Sequence, residues 1–199
     1  MFDDIYKFNK KVALVGDENL SVTYADLILE SKKIQEKIYK KSLILFICNN
    51  SIESIIGYFT FLKNKHTTII LDSSLNKEYL KKIFRKYNPD YIYCAKKIFK
   101  GNKYLKNILK IDNFFLYKNC KNKKKKINSK NFILLSTSGT TQSPKFVRIS
   151  EKNLFHNTKK IIDYLKIRSN QTTITTMPMG YSYGLSVINT HLVAGAKIV

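Results

Sequence analysis

Along the first half of the chain, short unbroken apolar runs alternate with stretches in which apolar residues recur every three or four positions, a rhythm that predicts strands and helices in turn. Val12 to Val15 reads as a strand, Asp17, Glu18 and Asn19 as a turn, and Leu20 to Val22 as the returning strand. Thr23 is placed to cap a helix from Tyr24 to Lys41, with Leu27, Ile28, Ile34 and Ile38 on one stripe and Glu30, Lys33, Glu36 and Lys37 outside it. Leu43 to Cys48 is an unbroken apolar strand of the kind buried on both faces. Asn50 and Ser51 then read as a cap for a second, strongly apolar helix from Ile52 to Lys63, and the β-branched run Thr67 to Leu71 as a strand. A third helix, Asn76 to Tyr87, ends near Asn88 and Pro89 before a strand from Tyr91 to Ala95. Repeated alternation of strand and helix predicts βαβ units: an α/β fold of layered, parallel-rich sheets with flanking helices.

The second half is less regular. Tyr104 to Tyr117 holds enough apolar residues for a short ordered element, whereas Lys118 to Lys130, including Lys123 to Lys126, reads as a solvated basic connector, favoured over a site for an anionic partner. Phe132 to Leu135 and Phe146 to Ile149 read as two strands flanking a polar loop. Ser150 caps a helix to about Lys166 with Leu154, Thr158, Ile161, Ile162 and Leu165 facing inward; His156 on it packs or faces solvent. Thr172 to Thr176 reads as a strand that Met177 and Pro178 end. The expected division is an N-terminal α/β subdomain at 1–117, a basic linker loop at 118–131, and a segment at 132–199 holding the polar loop and the start of a second subdomain. No internal repeat is visible.

The polar loop carries the candidate chemistry. Ser136, Thr137, Ser138, Gly139, Thr140, Thr141, Gln142 and Ser143 offer successive amide and hydroxyl donors that can converge on anionic oxygens, with Gly139 allowing close backbone approach. Lys145 supplies a point cation suited to a polyphosphate, and Pro144 stiffens the exit. The Walker A spacing is absent, and the loop leads into a strand before any helix. A Ser/Thr/Gly cluster by itself is more often a surface loop without a ligand.

Composition narrows the classes. Hydrophobic content of 44% and aromatic content of 13% are globular values. A formal charge of +22 invites a nucleic-acid reading. Yet only Arg85, Arg148 and Arg168 are arginines among 36 basic residues, and base readout leans on the arginine fork, so A/T-rich codon usage is the favoured source of the lysines. Cys48, Cys94 and Cys120 lack metal-ligand spacing, and His66, His156 and His191 do not complete one. Cys48 and Cys94 read as core residues, and a reducing cytoplasm fits. The N-terminus lacks the order of a signal peptide and no apolar stretch approaches a membrane span, so a cytoplasmic location is expected.

The ordered string Leu134, Thr137, Ser138, Gly139, Thr140, Thr141, Pro144 and Lys145 resembles the signature loop of the adenylate-forming superfamily: acyl- and aryl-CoA synthetases, peptide-synthetase adenylation domains and luciferases. Pro178, Tyr181, Tyr183, Gly184, Leu185, Gly195 and Ala196 fit a later family segment, and Leu20 to Leu27 looks like the family's opening strand and helix. The likeness implies the N-terminal domain of the adenylate-forming fold, incomplete here. It also implies a two-step reaction in which a small-molecule carboxylate attacks Mg-ATP to give an acyl-adenylate and pyrophosphate. A thiol of coenzyme A or a carrier protein then takes the acyl group. Carried over by position, Thr137 lies near the phosphates and Mg²⁺, Ser138, Gly139, Thr140 and Thr141 hold the β- and γ-phosphates, and Lys145 balances their charge. Tyr181, Tyr183 and Gly184 fall at the carboxylate pocket, Tyr181 and Lys145 being the catalytic assignments; ordinary core packing is the equal alternative for the two tyrosines.

Gln142 stands where relatives usually have Gly or Ser, and Phe146 where they have Gly, which implies a stiffer, bulkier loop. Family members continue past the position of Val199 into ribose-binding motifs, a hinge and a small domain bearing a catalytic lysine, so the chain alone is expected to be catalytically silent. Its last residues read as an apolar strand left as a bare edge. The leading expectation is the N-terminal portion of an acid:thiol ligase, through a shortened chain, a split gene or a frameshift. A non-catalytic remnant, or a half-protein completed by a separately encoded downstream polypeptide, is the alternative; a nucleic-acid-binding protein is the weaker one.

Overall fold

Thr23 opens the first helix with a reciprocal capping box: its hydroxyl accepts the Asp26 amide at 3.1 Å while the Asp26 carboxylate accepts the Thr23 amide at 3.0 Å. The computed structural model describes residues 1–17, 20–95, 99, 101–121, 132–136 and 145–199. The chain begins with β1 (Val12–Val15), β2 (Ser21–Thr23) and α1 (Tyr24–Gln35), then runs through β3 (Leu43–Cys48), α2 (Ile52–Lys63), β4 (Thr67–Asp72), α3 (Lys77–Tyr87) and β5 (Tyr91–Cys94). There follow β6 (Leu105–Ile111), β7 (Phe114–Asn119), β8 (Ile133–Ser136), β9 (Phe146–Ile149), α4 (Glu151–Leu165), β10 (Thr172–Thr173), α5 (Ser182–Ala194) and β11 (Lys197–Ile198).

Among the described residues the strands form two sheets, one ordered β6-β7-β5-β3-β4-β8-β9 and the other β10-β11-β1-β2. In the larger sheet β5, β3, β4 and β8 run parallel, and β7, β6 and β9 are antiparallel additions at its two sides. The step from β3 to β4 goes one way along the sheet and the step from β4 to β5 the other, so right-handed crossovers put α2 and α3 on opposite faces. The side chains agree. Ile44, Phe46 and Cys48 share one core with Tyr58, Phe59 and Phe61 of α2, whereas Leu45 and Ile47 share a second with Leu80 and Ile83 of α3. Leu14 and Ile198 of the smaller sheet, with α1 and α5, close the first core. Residues on either side of 118–131 enter both sheets, so the expected linker falls between strands of one sheet.

Several expectations are corrected. The helix predicted to reach Lys41 ends at Gln35, whose side chain turns to donate to the Ile38 carbonyl at 2.8 Å; Ile38 is buried beyond the helix. The element at 104–117 is a β-hairpin, and the basic connector begins later, because Lys118 and Asn119 belong to β7; residues 122–131 lie outside the described residues. On α4 only Leu154 and Thr158 are buried, and Leu165 is exposed. Lys166 takes a left-handed conformation that turns the chain, and Ile167 is the buried residue instead. The last strand is not a bare edge: β11 lies between β10 and β1, parallel to both.

Candidate functional site

In the larger sheet β3, β4 and β8 leave by the same end, because all are parallel, and in open α/β sheets that carboxyl end is where ligands bind. Three pieces of chain meet there. Cys48 ends β3 and is followed by Asn49, Asn50 and Ser51; Asp72 ends β4; Ser136 ends β8. The polar loop springs from Ser136 and returns at Phe146, its direct antiparallel partner, so the loop closes a β8–β9 hairpin one strand away from β4. Thr137, Ser138, Gly139, Thr140 and Thr141 themselves lie outside the described residues. Lys145 is exposed where the chain re-enters β9. The bulk of Phe146 is taken up sideways, its ring edge-on to Tyr87 of α3 at 5.4 Å between centroids.

A fourth piece meets them, an irregular strap, residues 174–181, joining β10 to α5. A β-carbon on Gly180 would stand 3.0 Å from the Asp72 β-carbon and 3.1 Å from its amide nitrogen, so the strap rests directly on the end of β4. Asn50, at the end of β3, grips the same strap: its Nδ2 donates to the Thr175 carbonyl at 2.7 Å and the Met177 carbonyl at 2.9 Å, and its Oδ1 accepts the Met179 amide at 2.9 Å. Asn50 was expected as part of a helix cap. Ser51 does that work alone, its hydroxyl accepting the Ser54 amide at 3.3 Å. β10 is shorter than the strand expected to Thr176: past Thr173 the Thr175 amide still donates to the Val199 carbonyl at 2.8 Å, but the Thr175 and Met177 carbonyls go to Asn50.

Tyr181 and Tyr183 are 40% and 65% exposed, so the core-packing alternative does not hold for either. Tyr181 heads α5, and Tyr183 lines a cleft of about 120 Å³ with Ile174, Met177 and Val187. Gly184 is buried where any β-carbon would overlap the Pro178 carbonyl oxygen, so it lets α5 pack against the strap. Behind the site α5 is tied to α2 by the Tyr58 hydroxyl, which donates to Asn189 Oδ1 at 2.9 Å. Burial pushes the Tyr58 hydroxyl's pKa up, the Asn189 contact opposing it, so the group stays a donor. Cys48 and Cys94 are core residues as expected; burial pushes the Cys94 thiol up to about 12. His156 is exposed. Among the described residues no group of three or more His, Cys, Asp or Glu is placed to hold a metal, and Thr137, the expected magnesium neighbour, falls outside them. No described helix is long and apolar enough to cross a membrane.

The family model for AMP-binding enzymes matches residues 2–199. No curated protein matches by sequence. Among solved structures, apo MatB from Rhodopseudomonas palustris superposes with a TM-score of 0.74 at 14% identity, over 99% of this chain and 43% of that one. The o-succinylbenzoate CoA synthetase MenE from Bacillus subtilis, in complex with the acyl-adenylate intermediate OSB-AMP, gives 0.74 at 17% identity, over 100% and 55%. The same enzyme with ATP and magnesium ion gives 0.68 at 15% identity, over 96% and 54%. The chain thus spans about half the length of these structures, and at such identities the likeness is one of fold.

Proposed function

Because the chain belongs to the family of AMP-binding enzymes, we propose that it is the N-terminal portion of an ATP-dependent carboxylic acid:thiol ligase. A carboxylate oxygen attacks the α-phosphorus of ATP, a P–O bond to pyrophosphate breaks, and the acyl-adenylate forms. A thiol of coenzyme A or a carrier protein then displaces AMP at the acyl carbon. Charge builds on the phosphorus centre and the departing pyrophosphate, so fixed donors and a cation aimed there lower the barrier. Thr137 to Thr141 supply the donors by their place in the motif, with Thr137 beside the magnesium that accompanies ATP. Lys145 supplies the cation and, exposed at the root of the hairpin, is free to reach the triphosphate end of the ligand.

The observation that supports this reading is convergence. The strap bearing Tyr181 lies on Asp72 at the end of β4, and β8, from which the polar loop rises, is the next strand over. A ligand gripped by its phosphates at the loop is therefore close to a second segment able to receive the carboxylate that must attack it. Tyr181 and Tyr183, at and just past the end of the strap, are exposed, and Gly184 keeps the segment pressed against α5.

The test is ATP–pyrophosphate exchange across a panel of carboxylic acids, in the enzyme that joins this chain to the remainder of the fold. Exchange that depends on at least one acid is expected. Its absence across the panel would overturn the ligase reading. The 199-residue chain by itself is expected to form no acyl-adenylate.

A further inference from the structure

We propose that Asn50 is a positioning residue for the carboxylate side of the site, an inference that rests on the ligase reading above. Residues 174–181 form no helix or strand, so their backbone groups need partners from elsewhere. Asn50 satisfies three of them at once: two carbonyls, Thr175 and Met177, and one amide, Met179. A neutral carboxamide is the side chain that offers two N–H donors and an acceptor together. Both donors of Asn50 and one lone pair of its Oδ1 are spent on the strap, so the residue acts through the strap.

The distribution of contacts separates position from mere stability. The bulk of the strap is held by packing that does not involve Asn50: Met179 is fully buried, Gly180 sits on Asp72, and Gly184 leaves room for the Pro178 carbonyl. Asn50 is exposed at the end of β3 and fixes where alternate residues of the strap lie along the sheet end. Downstream, the Tyr181 amide donates to the Pro178 carbonyl at 3.2 Å, so the start of α5 and the Tyr181 side chain follow whatever position the strap takes. Removing Asn50 should let the strap shift without unfolding the domain. The consequence falls on the acid and spares the triphosphate.

Two measurements decide it. In the 199-residue chain, Asn50→Ala should speed hydrogen exchange of the Met179 amide roughly tenfold or more while the Leu45 amide in β3 keeps its protection. Unchanged Met179 exchange would overturn the proposal. In ATP–pyrophosphate exchange by the complete enzyme, Asn50→Ala should raise KM for the carboxylic acid roughly tenfold or more, with KM for Mg-ATP moving by less than about threefold. Asn50→Asp keeps the acceptor but sets a carboxylate against two carbonyls, and should be at least as impaired. A fall in kcat alone, or an equal rise in both KM values, would mark a merely structural residue and defeat the idea. If the wild type exchanges and Asn50→Ala matches it, the proposal fails and the ligase reading stands. If the wild type exchanges with no acid, both fall.

Discussion

Gly184 and Pro178 occupy each other's space: a β-carbon at position 184 would overlap the Pro178 carbonyl oxygen and stand 2.7 Å from its carbonyl carbon and 2.8 Å from the Met177 oxygen. All three atoms are backbone, so no side chain can swing away. Gly184→Ala therefore forces α5 and the strap apart, an overpacking cost of about 1–3 kcal/mol that the roughly 1 kcal/mol gained in helix propensity only partly offsets. Urea denaturation should show a net loss of stability. A variant as stable as the wild type would mean that the strap does not press on α5.

The Tyr58 hydroxyl ties α2 to α5, and it is fully buried. Tyr58→Phe leaves Asn189 Oδ1 without that donor in a site with little room for water, at a cost of about 1–3 kcal/mol. Thermal melts of Tyr58→Phe, Asn189→Leu and the double variant should show strong coupling, the double losing much less than the sum. Additive losses would say that the two groups do not depend on each other.

His66 is 1% exposed, its Nδ1 accepting the Ser42 amide at 3.2 Å and its Nε2 lying 2.9 Å from Gln35 Oε1. Since Nδ1 accepts, the proton sits on Nε2 and is donated to Gln35, which fixes the neutral tautomer. Burial first, then the charge of Lys41, lowers the pKa from 6.5 to about 4. With the folded pKa below the unfolded one, acid favours the unfolded chain, so this contribution is whole above about pH 6.5 and is lost as pH falls toward 4. Between pH 8 and 5 the wild type should lose about 2 kcal/mol more than His66→Gln. Parallel stability profiles for the two proteins would show that His66 takes up its proton without penalty.

What the sequence made legible follows from where each residue finds its partners. The strands Leu43–Cys48 and Phe146–Ile149 and the helix Ile52–Lys63 lie where their apolar runs place them, since local pattern and caps suffice to define them. Asn50 reads as a cap because its neighbours allow it. Its partners Thr175, Met177 and Met179 are 125, 127 and 129 residues away, beyond any local signal. Periodicity places Leu165 inward, but the left-handed turn at Lys166 lets Ile167 fill the core instead. The hairpin at 105–119 was blurred by Lys106, Lys110 and Lys118, which decorate strands whose apolar residues alternate only loosely. The polar loop was legible as an ordered motif, whereas the placing of β8, where that loop begins, beside the β4 end on which the strap rests depends on the order β3-β4-β8, which no short stretch encodes.

Lys145 gives the most direct test of the loop. It is exposed at the first residue after the loop, and Phe146 beside it is anchored on Tyr87, so the root from which the lysine extends is fixed while its ammonium stays in solvent. On the proposed ligase reading this lysine would contribute a charged hydrogen bond to phosphate oxygens, worth about 1.5–3 kcal/mol. Lys145→Ala should then weaken Mg-ATP binding to the 199-residue chain by roughly ten- to a hundredfold in a calorimetric titration. Lys152→Ala, on the exposed face of α4, serves as the control for overall charge and should change affinity by less than about twofold at physiological salt. Equal losses in the two variants would reduce the effect to the general attraction of a chain of net charge +22 for a polyanion, and the loop would lose its claim to the triphosphate.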